Sequence, residues 1–405
     1  MSADRRLRIC YVAPGQDLVS TMGPTRNVLN LARALQSWAD VTVAFRRVVD
    51  PPPADIQVRE IEPLARSGRA DDAATSGMGY LQFLDYWRAV RRFAREELRD
   101  YDIVLEKSWL LSGDVAAICA ARGQLGVPVE NIVQNPAHAA RNQWTKRVRL
   151  ELGAWVARRN MARVPLVIAE TEFLKREIER HWLVPAGRIA VVTLGVDKSL
   201  FRPLDQAAAR ARLGLPAGAT ILTYVGVLDW THNLEPAIRT LMAVRPPQVE
   251  LHIVGDGARR ADYEAMTHGF PAVRFHGKLP HDEVPWHIAA SDLCLAPYDA
   301  AAFASGELGY STMKIPEYLS VGRAVVSVPS GRIRSLVADS SSGFLFANET
   351  DRWREFLAAL PARDRLARMG EAAAATPQPD WAATARAYLD ACHVAMRDRA
   401  TGRDG

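Results

Sequence analysis

Tyr310-Ser-Thr-Met-Lys-Ile-Pro-Glu-Tyr-Leu-Ser-Val-Gly-Arg-Ala-Val-Val326 follows the apolar stretch Asp292-Leu-Cys-Leu-Ala-Pro-Tyr298. Together they read as strand, loop, short helix, glycine stop and strand. Pro316 is comfortable only in a first helical turn, so the helix should begin near Thr312 or Met313. Ser311 or Thr312 is the expected N-cap and Gly322 the terminator. Lys314 and Glu317 lie three apart and share one face of the first turn. The free N–H groups of Ser311, Thr312 and Met313, the helix dipole and Lys314 converge where an anion would sit. A carboxylate one turn deeper can accept hydrogen bonds from a diol. This combination points to a nucleoside diphosphate sugar, with its diphosphate on the helix start and Lys314 and its ribose on Glu317. The ordinary alternative is an amphipathic helix whose Lys314 and Glu317 face solvent. Composition tilts against it, because only six of the 51 basic residues are lysines.

Outward from this unit, strand and helix signals alternate along the whole chain, as parallel βαβ units require. In the first half the expected strands are 8–13, 41–45, 103–106, 129–134, 166–169 and 189–193, with another near 56–61. Helical patterns cover 25–37, 80–98 and 146–163. A second series has strands at 221–225, 249–254, 273–276, 293–296 and 324–328. The turn-rich stretch 195–219, with one short Ala/Arg helix, separates the two series. The fold class is α/β, with two Rossmann-like doubly wound domains facing a central cleft. The expected division is 1–200, 201–380 and a terminal helix from Trp381 that packs back on the first domain. Ligands in such sheets bind outside the carboxyl ends of the strands.

A length of 405 residues suits two domains, and 48% hydrophobic with 24% charged residues describes a globular chain with ample core. No apolar run is long enough to span a bilayer, and Met1–Arg8 leads into a strand without a secretory apolar segment. The expected location is therefore cytoplasmic, either free or at the inner face of the membrane. Cys10, Cys119, Cys294 and Cys392 are scattered without a C-x-x-C pair, which predicts buried thiols rather than disulfides or zinc ligands. A net charge of +5 permits attraction to phosphates or anionic lipid. The arginines are spread along the chain without a nucleic-acid module, so no nucleic-acid partner is expected.

Several strand ends, taken in order, resemble those of the retaining family 4 (group 1) glycosyltransferases of the GT-B fold, over nearly the whole chain. Tyr224-Val-Gly-Val-Leu-Asp-Trp-Thr-His-Asn233 matches a glycine-ended strand and phosphate-contacting loop, implicating Gly226 and His232. Val227 stands where many members have arginine, and His232 where many have lysine. Leu251-His-Ile-Val-Gly-Asp-Gly257 is similar to the strand ending in Gly-Asp-Gly. Phe275-His-Gly-Lys-Leu-Pro-His281 resembles the segment receiving the nucleobase, which implicates Lys278 and Leu279. Tyr310–Val326 fits the lysine sub-pattern, and Ser342-Gly-Phe-Leu-Phe346 resembles a family hairpin. In the first half, Gly23-Pro-Thr-Arg-Asn-Val-Leu-Asn-Leu-Ala-Arg-Ala-Leu35 looks like the helix whose start, at Gly23, faces the donor diphosphate. Val104-Leu-Glu-Lys-Ser108, Val133-Gln-Asn-Pro136 and Thr193-Leu-Gly-Val-Asp-Lys-Ser-Leu-Phe-Arg-Pro203 match other family segments. The family's first signature glutamate would fall on Gly309; Glu307 is the substitute considered for the sugar hydroxyls.

The resemblance implies transfer of a hexose-type sugar from a nucleoside diphosphate donor to an alcohol acceptor, which could be a glycan, a lipid-linked molecule or a small molecule. Lys314, His232 and the helix starts would stabilise the leaving diphosphate. Inverting relatives carry a histidine base after the first strand; Pro14–Ser20 has none, which favours retention. His138 is a candidate contact to the donor sugar. A sugar-nucleotide epimerase and a non-catalytic sugar-nucleotide-binding protein are the rival functions. Gly255-Asp-Gly257 lacks the third glycine of a dinucleotide fingerprint, because residue 260 is Arg260. Asp100-Tyr-Asp102 precedes its strand, where a metal would not be held, so neither a metal nor a cofactor is expected. On 146–163, Val148, Leu152, Trp155 and Val156 form an apolar face, read either as packing on the sheet or as part of a basic membrane patch.

Overall fold

Two parallel sheets organise the protein, a computed structural model describing residues 5–20, 22–61, 80–133, 144–299, 303 and 306–402. The chain separates into two compact units, one of residues 1–195, 309–311 and 379–405, the other of 196–308 and 312–378. The first unit has seven strands: β1 (Leu7–Ala13), β2 (Ala39–Phe45), β3 (Gln57–Glu60), β4 (Ile103–Lys107), β5 (Leu125–Glu130), β6 (Val167–Ala169) and β7 (Ile189–Val191). Their order is β3-β2-β1-β4-β5-β6-β7. The second has six: β8 (Thr220–Val225), β9 (Val249–Val254), β10 (Val273–Gly277), β11 (Leu293–Ala296), β12 (Ala324–Ser327) and β13 (Gly343–Leu345), in the order β10-β9-β8-β11-β12-β13. Parallel neighbours need crossover connections, which the intervening helices supply. Both units are thus doubly wound α/β domains whose strand order reverses beside the first strand, where ligands of such sheets bind.

Helices of the first unit are α1 (Gly23–Leu35), α2 (Tyr80–Glu96), α3 (Asp114–Ala120), α4 (Trp144–Met161) and α5 (Glu172–Trp182). The second contributes α6 (Gln206–Arg212), α7 (Glu235–Val244), α8 (Arg260–Met266), α9 (Val284–Ala290), α10 (Lys314–Val321), α11 (Ile333–Leu336), α12 (Thr350–Ala358) and α13 (Arg363–Ala374). The terminal α14 (Trp381–Ala400) packs on α1 within the first unit. Helical spacing explains the packing: α1 buries Val28, Leu29, Leu31, Ala32 and Leu35 on one side. All four cysteines are buried free thiols.

Four local expectations change. The fifth strand is Leu125–Glu130 rather than 129–134, and residues 131–133 follow it without extending it. Gly126 and Pro128 resemble turn residues, but α3 packs so close that a Cβ on Gly126 would lie 2.0 Å from the Ala116 carbonyl oxygen. Within β5 only Val129 and Glu130 pair with β6, so Pro128 stands outside that ladder. Ser342–Phe346 holds no hairpin; β13 runs parallel to β12 as an edge strand. Neither Ser311 nor Thr312 caps α10, since its N-cap is Met313 without a side-chain bond. The Thr312 hydroxyl is instead engaged with the Tyr298 hydroxyl at 2.5 Å. On α4, Val148, Leu152 and Trp155 are exposed, while Ala154, Ala157 and Met161 are buried, the last two in the core with Val167 and Ile178.

The first unit buries an unusual set of ionisable groups at its strand ends. Lys107 Nζ meets Glu170 Oε1 at 2.7 Å, with both side chains almost wholly buried. Tyr388 of α14 is buried within electrostatic reach of both. Glu106 accepts from Trp109 Nε1 at 2.7 Å and from the Ala116 N–H at 2.8 Å. Burial pushes its carboxyl up to about 8. Glu130 accepts from Ser112 at 3.2 Å through Oε2 only, and burial raises its carboxyl well above the usual range. A carboxyl with a raised folded value stays protonated while its unfolded counterpart ionises, so stability falls as pH rises above its ordinary value. Glu130→Gln should therefore be more stable than the wild type above neutrality, with the difference vanishing towards about pH 4. Denaturant midpoints across that range check this; an equal offset at every pH would refute a protonated Glu130.

Candidate functional site

The carboxyl end of β8 turns sharply at Gly226, whose φ of +146° suits glycine. A Cβ there would lie 2.7 Å from Lys314 Nζ and 3.1 Å from the Tyr224 hydroxyl. The next strand approaches equally closely: a Cβ on Gly255, also at positive φ, would sit 1.8 Å from the Gly226 carbonyl oxygen. Gly255-Asp-Gly257 is thus a close-packing device that sets the β8 loop, joined by Gly226 N–H to Val254 O at 2.9 Å and Leu228 N–H to Asp256 O at 2.9 Å.

Lys314 opens α10 and reaches back over this turn. Its ammonium donates to the Tyr224 hydroxyl at 3.1 Å and lies 4.4 Å from the Tyr224 ring centroid and 5.5 Å from that of Tyr298. It forms no ion pair among the described residues; burial pulls it down to about 7 against the opposing fields of Asp229 and Glu317. A cation held on aromatic faces without a carboxylate partner keeps its charge available to an incoming anion.

His232 packs against the same rings, its centroid 5.1 Å from Tyr298 and 6.4 Å from Tyr224. Its Nδ1 lies 2.8 Å from Asp229 Oδ1, and Asp229 also accepts from the His232 N–H at 2.9 Å. Burial and the Lys314 charge hold His232 below its ordinary value despite Asp229, so it is neutral at neutral pH. A neutral ring donating Nδ1–H to Asp229 presents a bare Nε2, which must gain a proton before it can donate to a phosphate. Tyr318, fully buried on α10, accepts from the Val225 N–H at 2.8 Å and donates to Leu295 O at 3.3 Å. It ties the helix to the ends of β8 and β11 and so fixes where Lys314 points.

The second unit therefore brings together Lys314, His232 and Gly226, with Thr312 and Met313 at the helix entry and Glu317 half-buried one turn on. Lys278, exposed, and Leu279, half-buried, follow β10, two strands away from β8. Glu307 is ion-paired to Arg334 at 3.1 Å. Ser311 and Gly309 belong to the first unit. The Gly309 carbonyl accepts from Thr171 Oγ1 at 2.6 Å, and a Cβ at 309 would press on the Phe173 ring at 3.0 Å. Gly23 starts α1 in the first unit, and His138 lies outside the described residues. The loop after β1 holds Asp17, buried and paired with Arg46 at 2.6 Å and Arg47 at 2.6 Å. These bonds outweigh burial and keep its carboxyl below the usual range, which leaves it a poor base.

Tyr224, Tyr298, Tyr318 and Asp229 were not singled out by sequence reasoning. The spacing Asp229-x-x-His232 and the tyrosines ending both apolar strands were the available signals. No group of His, Cys, Asp and Glu among the described residues is arranged to hold a metal ion.

Comparison with known proteins gives the family of the chain. Residues 22–200 match Glycosyltransferase Family 4, and residues 219–361 match Glycosyl transferases group 1. A D-inositol 3-phosphate glycosyltransferase of Streptomyces scabiei is 30% identical over 330 residues, covering 75% of this chain and 71% of the relative. That of a Nocardioides species is 27% identical over 350 residues, covering 77% and 72%. Among solved structures, Anabaena HepE in complex with UDP and glucose aligns with a TM-score of 0.70 at 19% identity, over 95% of this chain and 98% of that one. Sucrose-phosphate synthase of Thermosynechococcus elongatus aligns with a TM-score of 0.72 at 17% identity, over 98% and 100%. These likenesses support the GT-B fold, and the matched sequence shows that the chain belongs to the group 1, family 4 glycosyltransferases.

Proposed function

We propose that this glycosyltransferase moves a hexose-type sugar from a nucleoside diphosphate to an alcohol acceptor with retention of configuration and without a metal. The observation carrying the proposal is the Lys314 ammonium, set on Tyr224 at the turn after β8 with no carboxylate partner among the described residues. In the reaction the bond from the anomeric carbon to the β-phosphate oxygen breaks, and its electron pair stays on the phosphate. The acceptor oxygen bonds to the same face of the carbon while its proton passes to the departing phosphate. Negative charge grows on that phosphate, and Lys314 with the α10 start is preorganised to stabilise it. Glu317 would hold the ribose diol and the 278–279 backbone the base, with Gly23, Ser311, Glu307 and His138 as further candidate contacts. UDP, present in the HepE complex, is the first nucleotide to test, and a cyclitol phosphate, as in the relatives' name, is the first acceptor.

Calorimetry of UDP, GDP, ADP and TDP against wild type and Lys314→Ala, without added metal, tests the donor site. One nucleotide should bind and the variant should lose it; binding by none, or equal binding by both proteins, would overturn the assignment. Because Lys314 sits at about 7 in the free protein, its ammonium is fully present only below that pH. Affinity should fall as pH rises through and above neutrality, by up to about tenfold per unit, as binding comes to require proton uptake. A flat affinity from mildly acid to mildly alkaline pH would contradict a depressed Lys314.

A further inference from the structure

A crossover helix on a parallel sheet needs only one apolar face, yet α4 carries two. Ala154, Ala157 and Met161 face the core. Trp144, Val148, Leu152 and Trp155, at i, i+4, i+8 and i+11, fall on another side of the helix and are 70%, 53%, 52% and 56% exposed. The stripe has tryptophan near each end, and its surroundings are basic. Between Trp144 and Met161 the sequence holds Lys146, Arg147, Arg149, Arg158 and Arg159 against a single acid, Glu151. Arg147, Arg158 and Arg159 are exposed, and the Arg159 guanidinium lies 5.8 Å from the Trp155 ring centroid.

We infer that this face of α4 is a docking surface for an anionic lipid bilayer, on which the helix lies in the interfacial plane. Leu152 and Val148 supply the apolar contact, the two indoles suit the boundary between headgroup and acyl chain, and the arginines meet anionic headgroups. Charge complementarity decides the occupant. A second copy would set this net-basic helix against itself in a two-fold contact, with arginines opposing arginines. A bilayer with anionic headgroups offers the opposite charge and an apolar layer in one surface. No helix among the described residues is long and apolar enough to cross a membrane, so the contact is peripheral. The helix follows β5, so its Trp144 end lies toward the carboxyl edge of the sheet, and seating it there would present that edge to a lipid-borne alcohol. This last step rests on the transfer reading above; the docking does not.

The test is co-sedimentation of the full chain with vesicles of phosphatidylcholine alone and of equal parts phosphatidylcholine and phosphatidylglycerol, at low and high salt. UDP calorimetry and circular dichroism on the same preparations complete it. Wild type should partition onto the anionic vesicles, less so at high salt. The variant Trp144→Ser, Leu152→Ser, Trp155→Ser should lose at least tenfold in partitioning while its circular dichroism and UDP binding stay as in wild type. No wild-type binding to anionic vesicles, or unchanged binding by the variant, overturns the proposal. So does a wild-type dimer that the variant converts to monomer without vesicle binding, which would assign the face to a second copy. A wild type that binds anionic vesicles but not UDP would support the docking and count against the donor-site reading.

Discussion

Lys314→Ala should lower kcat/KM by about 10²–10³-fold while leaving the fold intact. Among the described residues no other ammonium or guanidinium is set against both rings at the turn after β8, and His232 beside them is neutral, so nothing there replaces the Lys314 charge. Its removal strands no partner, because the Tyr224 hydroxyl still donates to Val227 O at 2.6 Å. Stability should change by no more than about 1 kcal/mol, since a desolvated charge is removed together with the packing of its stem. Lys314→Met, which keeps the stem and drops the charge, should lose as much activity as Lys314→Ala. Recovery of turnover in Lys314→Met would show that packing, rather than charge, is what the site needs. Glu317→Ala should also abolish most turnover, through loss of a ribose contact and of a carboxylate whose field supports the Lys314 charge. Steady-state kinetics with the nucleotide sugar identified by calorimetry decide the matter. Turnover within a few-fold of wild type for either alanine variant would place the diphosphate or ribose elsewhere.

The largest effect on stability is expected from Lys107→Met, at about 3–5 kcal/mol, because it leaves the Glu170 carboxylate buried without its counter-ion. For a unit of this size that corresponds to a fall in Tm of roughly 6–20 °C. Relief does not come readily from a neighbouring cation, since the buried ionisable groups described around the pair are Glu106, Glu130, Tyr388 and, on β1, Tyr11. Replacing both members, Lys107→Met with Glu170→Leu, should restore most of the loss, because the pair's attraction largely offsets the cost of burying two charges. Thermal unfolding of the single and double variants checks this. A single variant as stable as the double would mean that Glu170 accepts a proton, or water, at little cost.

Much of this was readable from residue order because the relevant forces are local. Alternating apolar runs and helical periods located the strands and helices of two parallel sheets, since parallel sheets are buried on both faces and their strands are nearly continuous apolar runs. The stretch 292–326 announced a strand, a helix start and a glycine stop through Pro316 and Gly322, whose backbone preferences are intrinsic. Lys314, from its place at the helix start, and His232, from the family resemblance, were expected together, and the structure brings both to the turn after β8. Where local signals conflicted with packing, they failed. The strand expected at 129–134 lies at 125–130 instead, with Gly126 and Pro128 inside it where α3 packs tightly over Gly126.

What residue order settled was the fold class, the family and the helix that carries Lys314. What it could not settle was the charge state and posture of the site groups, because these depend on residues distant in the chain. Tyr224, Tyr298 and Lys314 come from three different segments, and only their convergence buries the ammonium and draws it down to about 7. The neutral state of His232 follows from the same enclosure and from the Lys314 charge beside it. The two apolar faces of α4 are likewise indistinguishable by composition. Tertiary packing alone consumed one of them and left the other to solvent, because a helix can press only one side onto a sheet.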